Sequence, residues 1–271
     1  MKGLVAALVA LGWSVAAAAA ETPARVVTLA PHLAELMCAA GACDRLVAVA
    51  DYTDHPDEAA ALPRIGDAFR VSLEVLVAMQ PTHLIVWEGG TPPERVTRLQ
   101  QLGIEVVMIR IQTLEDIARA LRRLGALFGT QAAADAEAAR FLDRLEMLRA
   151  TYGDRTALRV FYQVDVEPAF TINGDSPISE ALNLCGAVNV FADLPRLAMA
   201  VGREHLATTP IDAVVHADVD TEAVRAFWAK LPQSTTRAPA LIAVDADRMA
   251  RASPGMLDAL GPLCEALDRL R

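Results

Sequence analysis

From Arg25 onward, short apolar runs alternate with longer stretches in which apolar residues recur every three or four positions. Residues 26–29, 46–50, 84–87 and 106–109 have the length and continuity of strands buried on both faces. Between them, 33–40, 73–79 and 94–102 carry helical spacing, and Thr113 with Asp116 supplies the residue types of a capping box opening a helix that runs to Phe128. Residues 131–152 break the alternation. Ala134, Ala138, Phe141, Leu145 and Leu148 form one apolar stripe among charged neighbours, which predicts a 22-residue helix about 33 Å long at 1.5 Å per residue. Beyond it come strands at 159–164, 213–216 and 240–244 and helices at 178–184, 221–230 and 256–270. Strand-helix alternation on both sides of one long helix predicts two Rossmann-like α/β lobes with parallel sheets, 21–130 and 154–271, joined by one long α-helix at 131–153.

A weak internal repeat agrees with two lobes. LVAMQPTHLIVW at 76–87 and LATTPIDAVVH at 206–216 each end a short helix, pass a proline and enter an apolar strand. Glu74 in VSLEVL and Glu204 in VGREHL stand just upstream, each near a helix start, where the positive end of the helix dipole tolerates a carboxylate.

The first twenty residues stand apart from this pattern. Lys2, the apolar run 4–15 and Ala18-Ala19-Ala20 have the three parts of a secretory signal peptide, with cleavage expected after Ala20 and export to the periplasm. Losing Lys2 leaves 24 basic residues against 34 acidic ones, and this acidic balance without a basic run disfavours nucleic-acid binding. No other segment has the roughly 20 apolar residues that a membrane span needs.

Export also changes the meaning of Cys38, Cys43, Cys185 and Cys264, because thiols in an oxidising compartment tend to pair. Four cysteines allow three pairings. Proximity favours Cys38 with Cys43 across a helix end at Gly41, which leaves Cys185 with Cys264, and buried free thiols are the alternative for either pair.

The segments RVVTLAPHLAEL, ADYTDHP, IVWEGG, NLCGAVNVFAD, VGREHL and ARASP occur in this order along the mature chain. Together they resemble the periplasmic cobalamin-binding proteins of ABC importers, a class whose two lobes are bridged by a single helix. The resemblance implies a monomeric receptor that captures cobalamin or a related corrinoid and delivers it to a permease dimer in the inner membrane. It implies docking of Glu74 and Glu204 onto permease arginines, and a disulfide between Cys185 and Cys264. It places Tyr52 and Trp87 in the cleft of the first lobe and Phe170, Asp247 and Arg251 in that of the second. Aromatic faces suit a rigid, partly apolar macrocycle, and a few polar groups suit its amide rim. A single bridging helix further implies small closure, below a lobe rotation of roughly 20°.

Departures from the family pattern bear on the cargo. Ala68, Ala198 and Val164 stand where aromatics are expected, with Phe69 and Met199 beside two of the gaps as compensation. These losses point to a looser fit, an incomplete corrinoid such as cobinamide, or another macrocycle. His32 follows Pro31 at a strand-to-helix turn, where the crevice of a parallel sheet opens, so it is a candidate for the cargo's metal or an amide. Haem or a ferric siderophore is the alternative cargo, with Tyr52 or His32 as iron ligand. A receptor for a bare metal ion needs three or four converging ligands, which five scattered histidines do not suggest. No resident cofactor is expected. An enzyme is disfavoured too: G-x-S-x-G, H-E-x-x-H, Walker and G-x-G-x-x-G motifs are missing, and Asp245 with Asp247 has no histidine close in sequence.

Overall fold

Val26, Val27 and Thr28 are fully buried, as are Leu84, Ile85 and Val86, so the apolar runs of the first half can only be central strands of a covered sheet. The computed structural model describes residues 23–67, 70–218, 221–232 and 238–271. Residues 1–20, read above as a signal peptide, and Ala68 and Phe69 lie outside the described residues.

The first lobe runs β1 (Val26–Thr28), α1 (Pro31–Ala39), β2 (Leu46–Ala48), α2 (Asp57–Ala60), α3 (Leu73–Ala78), β3 (His83–Trp87), α4 (Pro93–Gln100), β4 (Glu105–Ile109) and α5 (Leu114–Phe128). The expected capping box is present: Thr113 Oγ1 accepts from the Asp116 N–H at 3.3 Å, and Asp116 Oδ2 accepts from the Thr113 N–H at 2.8 Å. Gly129, in the left-handed region at φ 75°, ends α5 and turns the chain into α6 (Gln131–Tyr152), the 22-residue helix foreseen from the spacing. These two helices cross at backbone distance, since a Cβ on Gly125 would stand 2.3 Å from the Cβ of Ala134.

The second lobe runs β5 (Leu158–Gln163), β6 (Phe170–Ile172), α7 (Pro177–Leu184), β7 (Ala187–Asn189), β8 (Ala198–Ala200), α8 (Arg203–Thr208), β9 (Ala213–Ala217), α9 (Thr221–Ala229), β10 (Ala240–Val244), α10 (Ala246–Ala250) and α11 (Met256–Asp268). Its parallel sheet has the order β7-β5-β9-β10, and that of the first lobe β2-β1-β3-β4. The two orders superpose strand for strand, so α3 before β3 and α8 before β9 are equivalent elements. Glu74 and Glu204, in their first turns, are therefore equivalent positions, and both side chains are exposed.

Hydrophobic periodicity did not anticipate β7 or the antiparallel pair β6-β8. Each is three residues long, and β8, though apolar in sequence, leaves two of its residues exposed, so none has a period to detect. One continuous hydrophobic core takes Ile85 and Leu121 from the first lobe, Val160 and Val215 from the second, and Ala134, Ala138, Phe141 and Leu145 from α6. Separate clusters cover the other face of each sheet. Both cysteine pairs are disulfides: Cys38 with Cys43 at the end of α1, and Cys185 with Cys264 tying the end of α7 to α11.

Candidate ligand-binding cleft between the lobes

The carboxyl ends of β3 and β4 and the start of α1 face the end of β6, the start of α7 and the α10–α11 segment of the second lobe across a cavity of about 460 Å³. This is the side of a parallel sheet on which ligands bind, and the volume lies within the range of small-molecule sites. Its walls are mostly apolar, with Trp87 and Ile111 from one lobe and Ile172, Ile178, Met249 and Met256 from the other.

Trp87 ends β3 with its ring on the cavity, and the two glycines after it explain why that ring fits. Gly89 takes φ 93°, a conformation that side chains disfavour, and a Cβ on Gly90 would stand 1.9 Å from the Trp87 ring. His32 packs edge-on to Trp87 with ring centroids 5.4 Å apart and also lines the cavity. Its Nε2 is buried without a hydrogen-bond partner among the described residues. Burial, reinforced by the positive charge of Arg251, lowers its pKa from 6.5 to about 4. The imidazole is thus neutral at neutral pH and presents a lone pair rather than a charge.

The charged groups of this cavity are paired. Arg110 Nε sits 3.2 Å from Glu88 Oε2 while its Nη2 donates to Gln112 Oε1 at 2.6 Å, and Asp175 accepts from Asn173 Nδ2 at 3.1 Å.

Other residues singled out from sequence fall elsewhere around the lobe boundary. Asp247 and Arg251 line a second space of about 590 Å³, together with Glu35, His55 and the Cys38–Cys43 disulfide. Arg251 is deeply buried, and its Nη2 donates to the Tyr52 carbonyl at 3.1 Å, while Tyr52, at φ 63°, is itself 80% exposed. Phe170 is half-buried on the ribbon face it shares with Ile172, whereas Val164 is exposed beyond the end of β5. Ala198, opposite Ile172, lines the 460 Å³ cavity. Met199 pairs with buried Thr171 and alternates onto the opposite face, so it does not fill the space beside Ala198. Neither Glu74 nor Glu204 has an ion-pair partner among the described residues, and no group of three metal-ligating side chains occurs among them.

Sequence reasoning missed Glu35, Asp54 and Ser253, all of which contact the Arg251 region. Glu35 looks like an ordinary helix acid, and only a contact across 216 residues reveals its partner.

The model of the periplasmic binding protein family matches residues 26–237. A vitamin B12-binding protein of Vibrio cholerae is 32% identical over 246 residues, which is 90% of this chain and 88% of that protein. The vitamin B12-binding protein of Pectobacterium carotovorum is 33% identical, covering 93% and 91%. Among solved structures, the periplasmic vitamin B12 binding protein of Vibrio cholerae superposes with TM-score 0.81 at 29% identity, covering 91% of this chain and 97% of that one. A periplasmic heme-binding protein from Roseiflexus shares the fold at TM-score 0.79 and 20% identity, covering 92% and 100%. Matched along most of its length by both the family model and relatives above 30% identity, the chain belongs to the periplasmic binding protein family.

Proposed function

We propose that this protein is an exported receptor that captures cobalamin or a related corrinoid between its lobes and delivers it to the permease of an ABC importer, performing no chemistry on its cargo. The observation that carries this reading is the 460 Å³ interlobe cavity, apolar on most of its wall and without an unpaired cation. A corrinoid macrocycle offers apolar faces and neutral amides. Haem offers carboxylates, as many ferric siderophores do, and these call for a free guanidinium. Arg110 pairs with Glu88 and Gln112 at the exposed rim of the cavity, and Arg251, which is buried, with carboxylates of its own chain. Kinship with vitamin B12-binding proteins supports the same cargo. Ala198 leaves room on the wall, and Met249 with Met256 supplies adaptable thioether side chains around it, which suits a corrinoid lacking part of its nucleotide loop.

Titration calorimetry of the mature chain with cobalamin, cobinamide and hemin tests the cargo. Submicromolar binding of a corrinoid is expected, weakened about 30-fold or more by Trp87→Ala, the loss typical of an aromatic hot spot worth about 2 kcal/mol. Gly90→Ala, which drives the Trp87 ring from its place, should weaken it in the same direction. Hemin binding with no corrinoid response would transfer the reading to the haem alternative.

Glu74 and Glu204 are proposed as the permease contacts, one per lobe, because exposed carboxylates at equivalent positions match a two-fold permease bearing arginines. Glu74→Ala with Glu204→Ala should leave corrinoid affinity unchanged and reduce cargo uptake into permease-containing vesicles at least tenfold. Undiminished uptake removes the docking assignment.

A further inference from the structure

Arg251 sits where the second lobe meets the first. It leaves the end of α10, and its guanidinium is shared among groups of both lobes. Nη1 lies 3.1 Å from Glu35 Oε1 on α1 and also bonds Asp54 Oδ1 in the segment after β2, while Nη2 donates to the Tyr52 carbonyl at 3.1 Å and lies 3.3 Å from Asp247 Oδ1. Two residues on, Ser253 Oγ donates to Glu35 Oε2 at 2.5 Å, so both carboxylate oxygens of Glu35 are held by the second lobe.

These partners are not equal. The side chains of Arg251 and Glu35 are 9% and 14% exposed, whereas that of Asp54 is 53% exposed and that of Asp247 more so. Water and salt screen the exposed pairs, which contribute little. Separating the buried pair would leave a desolvated charge without its counter-charge.

The placement gives the pair a mechanical role. On α1, His32 faces the 460 Å³ cavity, and Glu35, nearly one turn later, faces the 590 Å³ space. Ala250 and Ala252 line the first space, Arg251 and Ser253 the second. The Glu35-Arg251 contact therefore stands in the partition between the two interlobe spaces. Another cross-lobe polar tie among the described residues, from the Leu114 N–H to Glu180 Oε2 at 2.5 Å, lies on different elements, α5 and α7, both of which pack against α6.

We infer that Glu35, Arg251 and Ser253 form a clasp that fixes the spacing of the two lobes, and that Glu35 is the positioning residue of this clasp. It holds Arg251 across the boundary, so the guanidinium serves the lobe interface. The inference concerns lobe geometry alone and stands whichever cargo the protein carries.

Double electron-electron resonance between spin labels at Arg98→Cys on α4 and Glu222→Cys on α9 reads the lobe spacing, with all four native cysteines tied up in disulfides. In the full mature chain without added cargo, a narrow distance distribution is expected. Glu35→Gln should displace its mean and broaden it, and Arg251→Gln should do the same. The double variant should shift no further than the larger single change, as for two residues acting as one unit. Asp54→Asn, which removes only a screened partner, should shift it less than Glu35→Gln. Circular dichroism checks that each variant is folded. If folded Glu35→Gln superposes on the unaltered protein, or Asp54→Asn shifts the spacing as much as Glu35→Gln, the clasp is wrong. Should Glu35→Gln fail to fold, Ser253→Ala decides, because loss of the hydroxyl that orients Glu35 must move the distribution in the same direction.

Discussion

Replacing Cys185 and Cys264 together by Ala is expected to lower stability by about 4 kcal/mol, against about 2 kcal/mol for Cys38 with Cys43, on the loop-closure account of a crosslink. The contrast comes from the lengths of chain that each bridge closes in the unfolded state, 79 residues for the first and 5 for the second. The long bridge also joins elements that enter the core separately. Cys185 caps α7 and Cys264 lies within α11, both completely buried, while α11 brings Leu260, Leu263 and Leu267 into the shared core. Losing the crosslink thus frees the final helix in the unfolded ensemble. The short bridge only tightens a turn whose ends are already neighbours. Urea unfolding of the two double variants measures the difference. Equal losses would mean that local packing around the sulfurs, rather than chain entropy, sets the contribution of both bridges.

The disulfides also mark where sequence reasoning reaches its limit. Four cysteines gave three pairings, and proximity along the chain could rank them but not choose. The elements were more legible because their signals are local. The apolar stripe of α6, the Thr113-Asp116 box and the continuous apolar runs of β1, β3 and β9 each lie within a few turns of chain. The cleft was half legible for the same reason. His32 follows the carboxyl end of a parallel strand, a position that strand-helix alternation identifies, Trp87 was placed by the family resemblance, and both line the interlobe cavity. Arg251 was singled out without its partners, since nothing near it in the chain distinguishes Glu35 from a solvated helix acid. Met249, Met256 and Ile172 likewise resemble ordinary core residues until the second lobe is set against the first. What escaped the sequence is the apposition of two surfaces, which depends on how α6 packs against both lobes.

That packing predicts the other large effect. Phe141→Ala on α6 should cost about 3–5 kcal/mol, as for other large buried aromatic truncations. Phe141 is 2% exposed within a core that draws on both lobes, and α6 packs against α1 and α5 of the first lobe and α7 and α11 of the second. A cavity there removes contacts on both sides of the boundary. Met147→Ala on the same helix, at a side chain 69% exposed, should change stability by no more than about 0.5 kcal/mol. The shape of unfolding carries as much information as the magnitude. If the common core couples the lobes, calorimetry of the Phe141→Ala protein shows one transition displaced to lower temperature, with calorimetric and van't Hoff enthalpies still in agreement. Two separated transitions would mean that each lobe is stabilised by its own outer cluster and that α6 is only a tether. The same coupling bears on motion: a helix buried in both lobes cannot bend far without opening the core around Phe141, so the expected result on cargo binding is a small closure, and a lobe rotation well above roughly 20° between the unloaded and loaded protein would contradict it.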